Sequence, residues 1–303
     1  MAVDAATLGV IGLICTVIFE FSIGHVLEIL KIQKQATDRS YTEIYYYLTK
    51  NGLVRLWDGF MPWGLLIASC KGGAFSFGEA KAYEFLKSES VKAVFALSET
   101  QTKVIASSFG GLLQGMIWSP LLLLKTRVVT HDEFRNVKGG MFESMMASIK
   151  IGSEIYKKDG VFGLCKGIHI FSLKRVLDWA TRYWFVEILF DLMSEYFVVE
   201  NIRKNSEYVW ICGLLGGTLS AIVTAFLDSL VSQIQDANAI DRSVSELFGL
   251  MIKDFSRAFR GIELRILHVA LATVLMKDIV PWASQIFVFY LQMNYGAVDQ
   301  KEL

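Results

Sequence analysis

The sequence predicts an all-α membrane protein with six transmembrane helices, and its hydrophobicity and two long uncharged segments are the basis of that prediction. The 303 residues are 53% hydrophobic, and the mean hydropathy is +0.42. Residues 104–124 and 208–227 contain no charged side chain, and about 20 apolar residues are enough for a helix to cross a bilayer. A large soluble helical core is the alternative, but soluble helices seldom contain two such runs.

The other four predicted spans are less uniform. The first, residues 5–19, is uncharged but short. The other three carry isolated charges and cover residues 60–77, 168–193 and 264–293. Charged side chains at membrane depth usually face the interior of a helix bundle or an aqueous cavity. Those charges therefore predict a functional interior.

The composition narrows the function classes. The chain has 30 basic and 30 acidic residues, so its charge does not indicate nucleic-acid binding. The four cysteines are scattered and predict neither a metal site nor a disulfide framework. No basic region precedes the first apolar run, so we expect no removable signal peptide. The sequence contains no nucleophile–base arrangement, and we expect neither an enzyme nor a cofactor or metal.

A short polar motif recurs three times along the chain. It reads KNGLVRLWDG at 50–59, KDGVFGLCKG at 158–167 and KDFSRAFRG at 253–261. Each copy ends in a polar residue and a glycine and then enters an apolar segment. The first two copies have another glycine seven positions earlier, which the third lacks. Recurrence at a fixed period indicates internal repeats.

A second motif precedes each copy, at the foot of an apolar helix. It reads VLEILKIQKQ at 26–35, PLLLLKTRV at 120–128 and FLDSLVSQIQ at 226–235. Its acidic and basic positions are three residues apart and therefore share one face of a helix. Where both are present, as in Glu28 and Lys31, acid and base are thus predicted to project together.

Together the motifs predict a repeated unit of about 100 residues. Each unit is a helix with a charged foot, a short amphipathic segment, a turn that ends in glycine, and a second helix. Within a single domain, 1–303, the units cover residues 5–100, 101–205 and 206–295. The short segments, expected along one surface, are 41–49, 141–157 and 244–254.

These motifs resemble the repeat of the mitochondrial carrier family. That repeat is Pro-x-Asp/Glu-x-x-Lys/Arg at the end of each odd-numbered helix, followed by Asp/Glu-Gly-x4-aromatic-Lys/Arg-Gly. The resemblance implies a pseudo-threefold fold of six helices with short helices on the matrix side. It also implies a multi-pass protein of the inner mitochondrial membrane, with lipids such as cardiolipin and a small anionic metabolite as partners. Within the family, residues 59–73 and 166–182 resemble the citrate/oxoglutarate carriers.

The resemblance implies a matrix gate, in which the acid of one odd-numbered helix pairs with the base of the next. By position, the pairs are Glu28 with Lys125, Leu122 with Val231, and Asp228 with Lys31. Two pairs are ionic, and both partners of the third are apolar. Losing one partner would strand a charge, whereas replacing both can be nearly neutral. The joint replacement supports this pairing.

The feet depart from the family pattern at the proline. Val26 and Phe226 stand where the repeat has proline, and only Pro120 matches. Proline kinks a helix because it removes a backbone hydrogen bond and clashes with the preceding turn. We therefore expect straighter helices in the first and third repeats, with a weaker capacity to hinge.

The resemblance also places substrate contacts at set distances after the glycine that opens each even-numbered helix. The candidate substrate-binding residues are Lys71, Lys174, Arg175, Trp179, Arg182, Arg265 and His268. Many basic groups with little matching acid suit an anion with several carboxylates. Three alternatives stay open: Lys71 could extend to the membrane interface, Arg265 could be a residue of the matrix surface, and His268 could be a core histidine.

Two functions are compatible with these features. The first is a carrier that exchanges di- or tricarboxylates such as citrate or 2-oxoglutarate by alternating access. The second is a carrier-fold protein without transport activity, serving as a structural subunit of a respiratory or other inner-membrane complex. The missing prolines and the apolar third pair favour the second function, whereas the two ionic pairs and the basic residues favour the first.

Overall fold

The computed structural model describes residues 5–132, 134, 140–197, 203, 205–239, 242–275 and 279–295. The described residues form helices and connecting turns, with no strand among them, and the predicted all-α fold is confirmed. The α-helices, in chain order, are α1 (Ala5–Phe19), α2 (His25–Ala36), α3 (Tyr41–Thr49), α4 (Leu65–Leu86), α5 (Glu89–Phe95), α6 (Glu99–Thr130), α7 (Met141–Leu164), α8 (Ile168–Phe197), α9 (Ser206–Val223), α10 (Ala225–Gln235), α11 (Val244–Lys253), α12 (Ile262–Val274) and α13 (Val280–Tyr295).

Several of these helices are able to cross a membrane. In the described part of the chain, Val10–Ala36 and Glu99–Thr130 qualify by length and apolar composition, and the bent pair Glu207–Val223 and Ala225–Gln235 would add a third span. The helices α4 and α8 have 22 and 30 residues, which also suffices for a bilayer. They are the helices in which the sequence places isolated charges.

Three glycines in the left-handed conformation show how the repeats contact one another. Gly59, Gly167 and Gly261 have φ values of 79°, 78° and 72°, a region that favours glycine. A Cβ atom on Gly59 would lie 3.2 Å from the Lys125 carbonyl oxygen, and one on Gly167 would lie 2.8 Å from Ile234 Cγ2. One on Gly261 would lie 3.3 Å from Lys31 Cγ. Each glycine thus lies against the foot of a helix from another repeat, and the three contacts close a ring.

The third copy of the motif lacks its first glycine for a visible reason. Gly52 and Gly160 have positive φ values of 108° and 65°. Asp254, at the matching position, has φ −127° and ψ 84°, which any residue can adopt. The backbone of the third turn therefore has no need for glycine there.

The short amphipathic segments are helical, as predicted. The Ser40 hydroxyl accepts from the Glu43 amide, and Glu43 accepts from the Ser40 amide, so α3 begins with a capping box. Ser243 and Glu246 form the same arrangement at the start of α11. The apolar faces of α3 and α11 pack on the feet of α2 and α10, in two clusters that contain Ile29, Ile32, Ile44, Leu48 and Val129, and Leu230, Ile234, Leu247 and Met251.

Small residues bring the long helices together. A Cβ on Gly110 would lie 2.8 Å from the carbonyl oxygen of Phe75 on α4, and one on Gly115 would lie 2.7 Å from the Cα of Ser172 on α8. Glycine at these sites lets two helix backbones approach closely.

The expectation of straight helices in the first and third repeats is wrong for the third. The helices α9 and α10 meet at an angle of 57°, with Thr224 at the break. The Thr224 side chain donates to Asp178 Oδ1 (2.6 Å) and accepts from Arg265 (2.6 Å). In the first repeat the His25 amide bonds to the Glu20 carbonyl, five residues back, so a wide turn joins α1 to α2. Side-chain contacts and a wide turn thus stand where the family has proline.

Substituting alanine for Gly115 should destabilise the protein, because the new Cβ would meet the Ser172 backbone. We expect a loss of about 1–3 kcal/mol in the free energy of unfolding, measured as a lower midpoint of thermal unfolding in detergent. Gly213→Ala is the control, since its Cβ would lie 3.9 Å from the nearest atom. A similar loss in both variants would refute the close-contact explanation.

Candidate functional site

The feet of three helices form both ionic pairs that the pairing rule predicts. Glu28 on α2 contacts Lys125 on α6, and Lys31 Nζ on α2 lies 3.0 Å from Asp228 Oδ2 on α10. Lys125 and Asp228 are only 3% and 4% exposed. At the third predicted pair, Val231 is buried on α10 and Leu122 is partly buried on α6. The ionic pairs thus join α2 to α6 and α2 to α10.

A layer of amide and hydroxyl groups, which the sequence reasoning missed, adds to these pairs. Gln35 donates to Asp228 Oδ2 (3.0 Å) and accepts from Ser232 (2.6 Å). Between α6 and α10, where no ionic pair was predicted, the Thr126 hydroxyl donates to Gln235 at 3.4 Å. The sequence could have indicated Gln35, because it lies one helical turn after Lys31 and therefore on the same helix face.

Asp228 also contacts the candidate substrate residues. Lys174 Nζ on α8 lies 2.9 Å from Asp228 Oδ1, and Arg265 Nη1 on α12 lies 3.7 Å from Oδ2. A single buried carboxylate therefore meets cations from α2, α8 and α12. The predicted gate and the candidate site share this group.

A second carboxylate, Asp178, lies at the centre of the basic residues. Its Oδ2 is 3.1 Å from Lys174 Nζ and 3.2 Å from Arg175 Nη1, and its Oδ1 is 2.7 Å from Arg265 Nη2. The sequence expectation of positive charge with little matching acid is therefore wrong for these three cations. Asp178 follows Lys174 and Arg175 by four and three residues, so it shares their helix face, and the sequence already contained that signal.

An aromatic stack supports the other side of the basic group. Trp179 stacks on Phe75 with ring centroids 3.8 Å apart, and its indole N–H donates to Gln114 Oε1 (3.2 Å). The same oxygen accepts from Arg175 Nε at 2.8 Å. Arg182 lies over the Trp179 ring, 5.4 Å from its centroid, and it forms no ion pair within the described residues.

The remaining two candidates lie apart from this group or are not fully described. Lys71 is on α4, but its side chain lies outside the described part of the structure. His268 on α12 faces α1, with Nε2 3.8 Å from Glu20 Oε1 and its ring 5.7 Å from that of Phe19. The sequence reasoning missed Glu20, a buried acid immediately after the first apolar run.

A buried polar cluster holds the turn before α4 against α2 and α7. Asp58 replaces the basic residue of the family motif, and its Oδ1 accepts from Arg55 (3.3 Å) and from Ser144 of α7 (2.7 Å). Its carbonyl oxygen lies 3.1 Å from Nε2 of the buried His25. This cluster fixes the turn before α4 to the start of α2 and to α7.

Removing the charge of one partner of the Glu28–Lys125 pair should lower the free energy of unfolding more than removing both charges. Glu28→Gln leaves the buried Lys125 ammonium without its carboxylate, and we expect a loss of about 3–5 kcal/mol in unfolding free energy. The double variant Glu28→Gln/Lys125→Met should be closer to wild type. Thermal unfolding of both variants in detergent checks this, and equal losses would show that the two groups do not act as a pair.

Comparisons with known proteins agree with this architecture. The profile of the family described as "Mitochondrial carrier protein" matches residues 98–197. The citrate/oxoglutarate carrier protein of Saccharomyces cerevisiae is 25% identical over 166 residues, which are 54% of this chain and 49% of the relative. The alignment thus spans about half the length of that relative.

Two further relatives have carrier names. The mitochondrial thiamine pyrophosphate carrier 1 of Candida albicans is 24% identical over 238 residues, 75% of this chain and 74% of the relative. The mitochondrial substrate carrier family protein Y of Dictyostelium discoideum is 28% identical over 141 residues, 46% of this chain and 31% of the relative. Together with the helical fold and the repeated turns, these matches show that the chain is similar to mitochondrial carriers, and the family profile matches it over residues 98–197.

Proposed function

We propose that this protein exchanges di- and tricarboxylates, such as citrate or 2-oxoglutarate, across the inner mitochondrial membrane by alternating access. The observation that carries the proposal is the position of Asp228. Its carboxylate binds the gate residue Lys31 at 3.0 Å and the candidate substrate residue Lys174 at 2.9 Å. An anion that competes for Lys174 therefore acts on a gate contact as well.

The charge of the site supports an anionic substrate. In the described structure, two carboxylates, Asp178 and Asp228, meet a larger set of cations, which are Lys31, Lys174, Arg175 and Arg265. Arg182 adds a further positive charge beside Trp179. Arginine binds carboxylates in a planar, bidentate geometry, and lysine acts as a compact charge. This surplus of cations suits a substrate with two or three carboxylates.

Alternating access follows from exchanging one set of ionic contacts for another. In the conformation described, the gate pairs Glu28–Lys125 and Lys31–Asp228 are formed. Substrate carboxylates on Lys174 and Arg265 would take these two residues from Asp228, and the feet would then have to rearrange to give that buried carboxylate new partners. A ligand shifts a conformational equilibrium only by its differential affinity for the two states, and this replacement supplies such a difference.

Loss of Lys174 and Arg175 should abolish exchange. The Lys174→Ala/Arg175→Ala variant, purified and placed in liposomes preloaded with each acid, should take up labelled citrate and 2-oxoglutarate at least about 100-fold more slowly, because each charged hydrogen bond contributes about 1.5–3 kcal/mol. Lys150→Ala/Lys157→Ala is the control, since it removes two exposed lysines of α7. Thiamine pyrophosphate belongs in the panel because a relative is named for it.

The result also separates the two functions. Folded wild-type protein that exchanges no acid and no thiamine pyrophosphate would favour the structural role. The apolar pair Leu122–Val231 is the specific observation on that side, and stoichiometric co-purification with an inner-membrane complex would then be expected.

Reversing the charges of the two gate pairs should have different effects. Glu28→Lys/Lys125→Glu recreates its ion pair, and we expect most of the exchange rate to remain. Lys31→Asp/Asp228→Lys places a lysine beside Lys174 and Arg265, and we expect exchange to be lost. The citrate exchange rate of each variant is the measurement, and equal recovery in both would mean that Asp228 is not shared with the substrate site.

A further inference from the structure

The Asp178 carboxylate contacts the basic residues in the way that the carboxylate of a bound substrate would. One oxygen receives Lys174 and Arg175, and the other receives Arg265 and the Thr224 hydroxyl, with distances between 2.6 and 3.2 Å. The residue is 9% exposed. Three cations from α8 and α12 thus converge on one carboxylate.

Lys174, Arg175 and Arg265 cannot direct all of their donors to the Asp178 carboxylate and to a substrate carboxylate at the same time. A free carboxylate presents two oxygens in the same planar group as an aspartate side chain, and it would need the same donors. The donors are largely buried, and removing Asp178 with nothing in its place would leave buried charges unpaired, which is strongly unfavourable. A substrate carboxylate and the Asp178 carboxylate are therefore alternatives on one set of donors.

We infer that Asp178 is a built-in counter-anion, which neutralises Lys174, Arg175 and Arg265 when no substrate is bound and which a substrate carboxylate displaces. This inference rests on the anion site of the proposed function and adds a determinant of its selectivity. One carboxylate only replaces the contacts that Asp178 already makes. A second carboxylate gains a new contact at Arg182, which has no ion pair within the described residues and lies over Trp179. The arrangement selects for acids with at least two carboxylates.

Displacement of Asp178 also reaches the bend between α9 and α10. The same carboxylate accepts from Thr224 (2.6 Å), the residue at the break. Arg265 donates to the Thr224 hydroxyl as well (2.6 Å). A substrate that takes Arg265 from Asp178 therefore removes contacts that hold the bend.

The test is to replace the counter-anion with a soluble one. Asp178→Asn removes the charge with little change in shape. We expect sodium acetate, compared with sodium chloride at equal ionic strength, to raise the midpoint of thermal unfolding of this variant by several degrees and to leave wild type unchanged. We expect half-maximal stabilisation by citrate at an about tenfold lower concentration than in wild type, because citrate has no internal competitor to displace.

Asp191→Asn is the matched control. Asp191 is on the same helix and lies 3.1 Å from Arg203 Nη2, but it is exposed. It should respond to acetate and citrate as wild type does. If Asp178→Asn responds like this control, Asp178 is a structural residue and the inference is overturned.

A second variant covers the case in which Asp178→Asn does not fold. Arg182→Ala strands no carboxylate, because Arg182 has no ion pair within the described residues. The inference predicts that it loses at least about tenfold in citrate affinity by the same thermal assay, while acetate still has no effect on it. Unchanged citrate affinity in Arg182→Ala would overturn the selectivity argument.

Failure of the inference and failure of the proposed function give different results. Citrate exchange by wild type, with no acetate response in Asp178→Asn, would retain the carrier and reject the counter-anion. An acetate response in Asp178→Asn, with no exchange by wild type of any acid tested, would retain the counter-anion and reject transport of these acids.

Discussion

The buried carboxylate of Asp228 constrains helices from all three repeats. Lys31 of the first repeat, Lys174 of the second and Arg265 of the third all lie within 3.7 Å of it, and Gln35 completes its hydrogen bonds. A buried charge is costly unless it is paired and hydrogen-bonded. The feet of the helices are therefore held in a conformation in which this one group is satisfied, and any movement of the feet must supply it with new partners.

Much of the fold followed from the sequence because its signals are local. The glycines at 59, 167 and 261 recur at the end of each polar motif, and glycine is the residue that most easily adopts the left-handed conformation found there. The gate pairs followed from the resemblance, since acid and base occupy fixed positions in the repeat. The contacts of Asp178 did not follow, although it shares a helix face with Lys174. Its contact with Arg265 spans 87 residues, and no local pattern encodes such a distance.

The chain departs from the family pattern at a missing proline in the third repeat and, among the described residues, at a missing ion pair between α6 and α10. Other contacts replace the proline more fully than they replace the ion pair. In the third repeat, contacts of Thr224 with Asp178 and Arg265 accompany a bend that proline provides elsewhere in the family. Between α6 and α10, the Thr126–Gln235 hydrogen bond is long at 3.4 Å, and the neighbouring Leu122–Val231 position is apolar. Within the described residues, this side of the predicted gate has no ion pair, unlike the other two, so the three sides are not equivalent.

The ring of glycine contacts has a mechanical consequence. Gly59 lies on the foot of α6, Gly167 on that of α10, and Gly261 on that of α2. The second long helix of each repeat (α4, α8 or α12) thus follows a glycine that contacts the foot of another repeat. The three contacts form a closed ring, so a displacement at one contact affects the other two. Because each repeat packs on the next, one repeat cannot tilt alone without creating a void or a steric clash at these contacts. Rearrangement of this protein is therefore expected to be concerted, with perturbations in one repeat felt as strain in the other two.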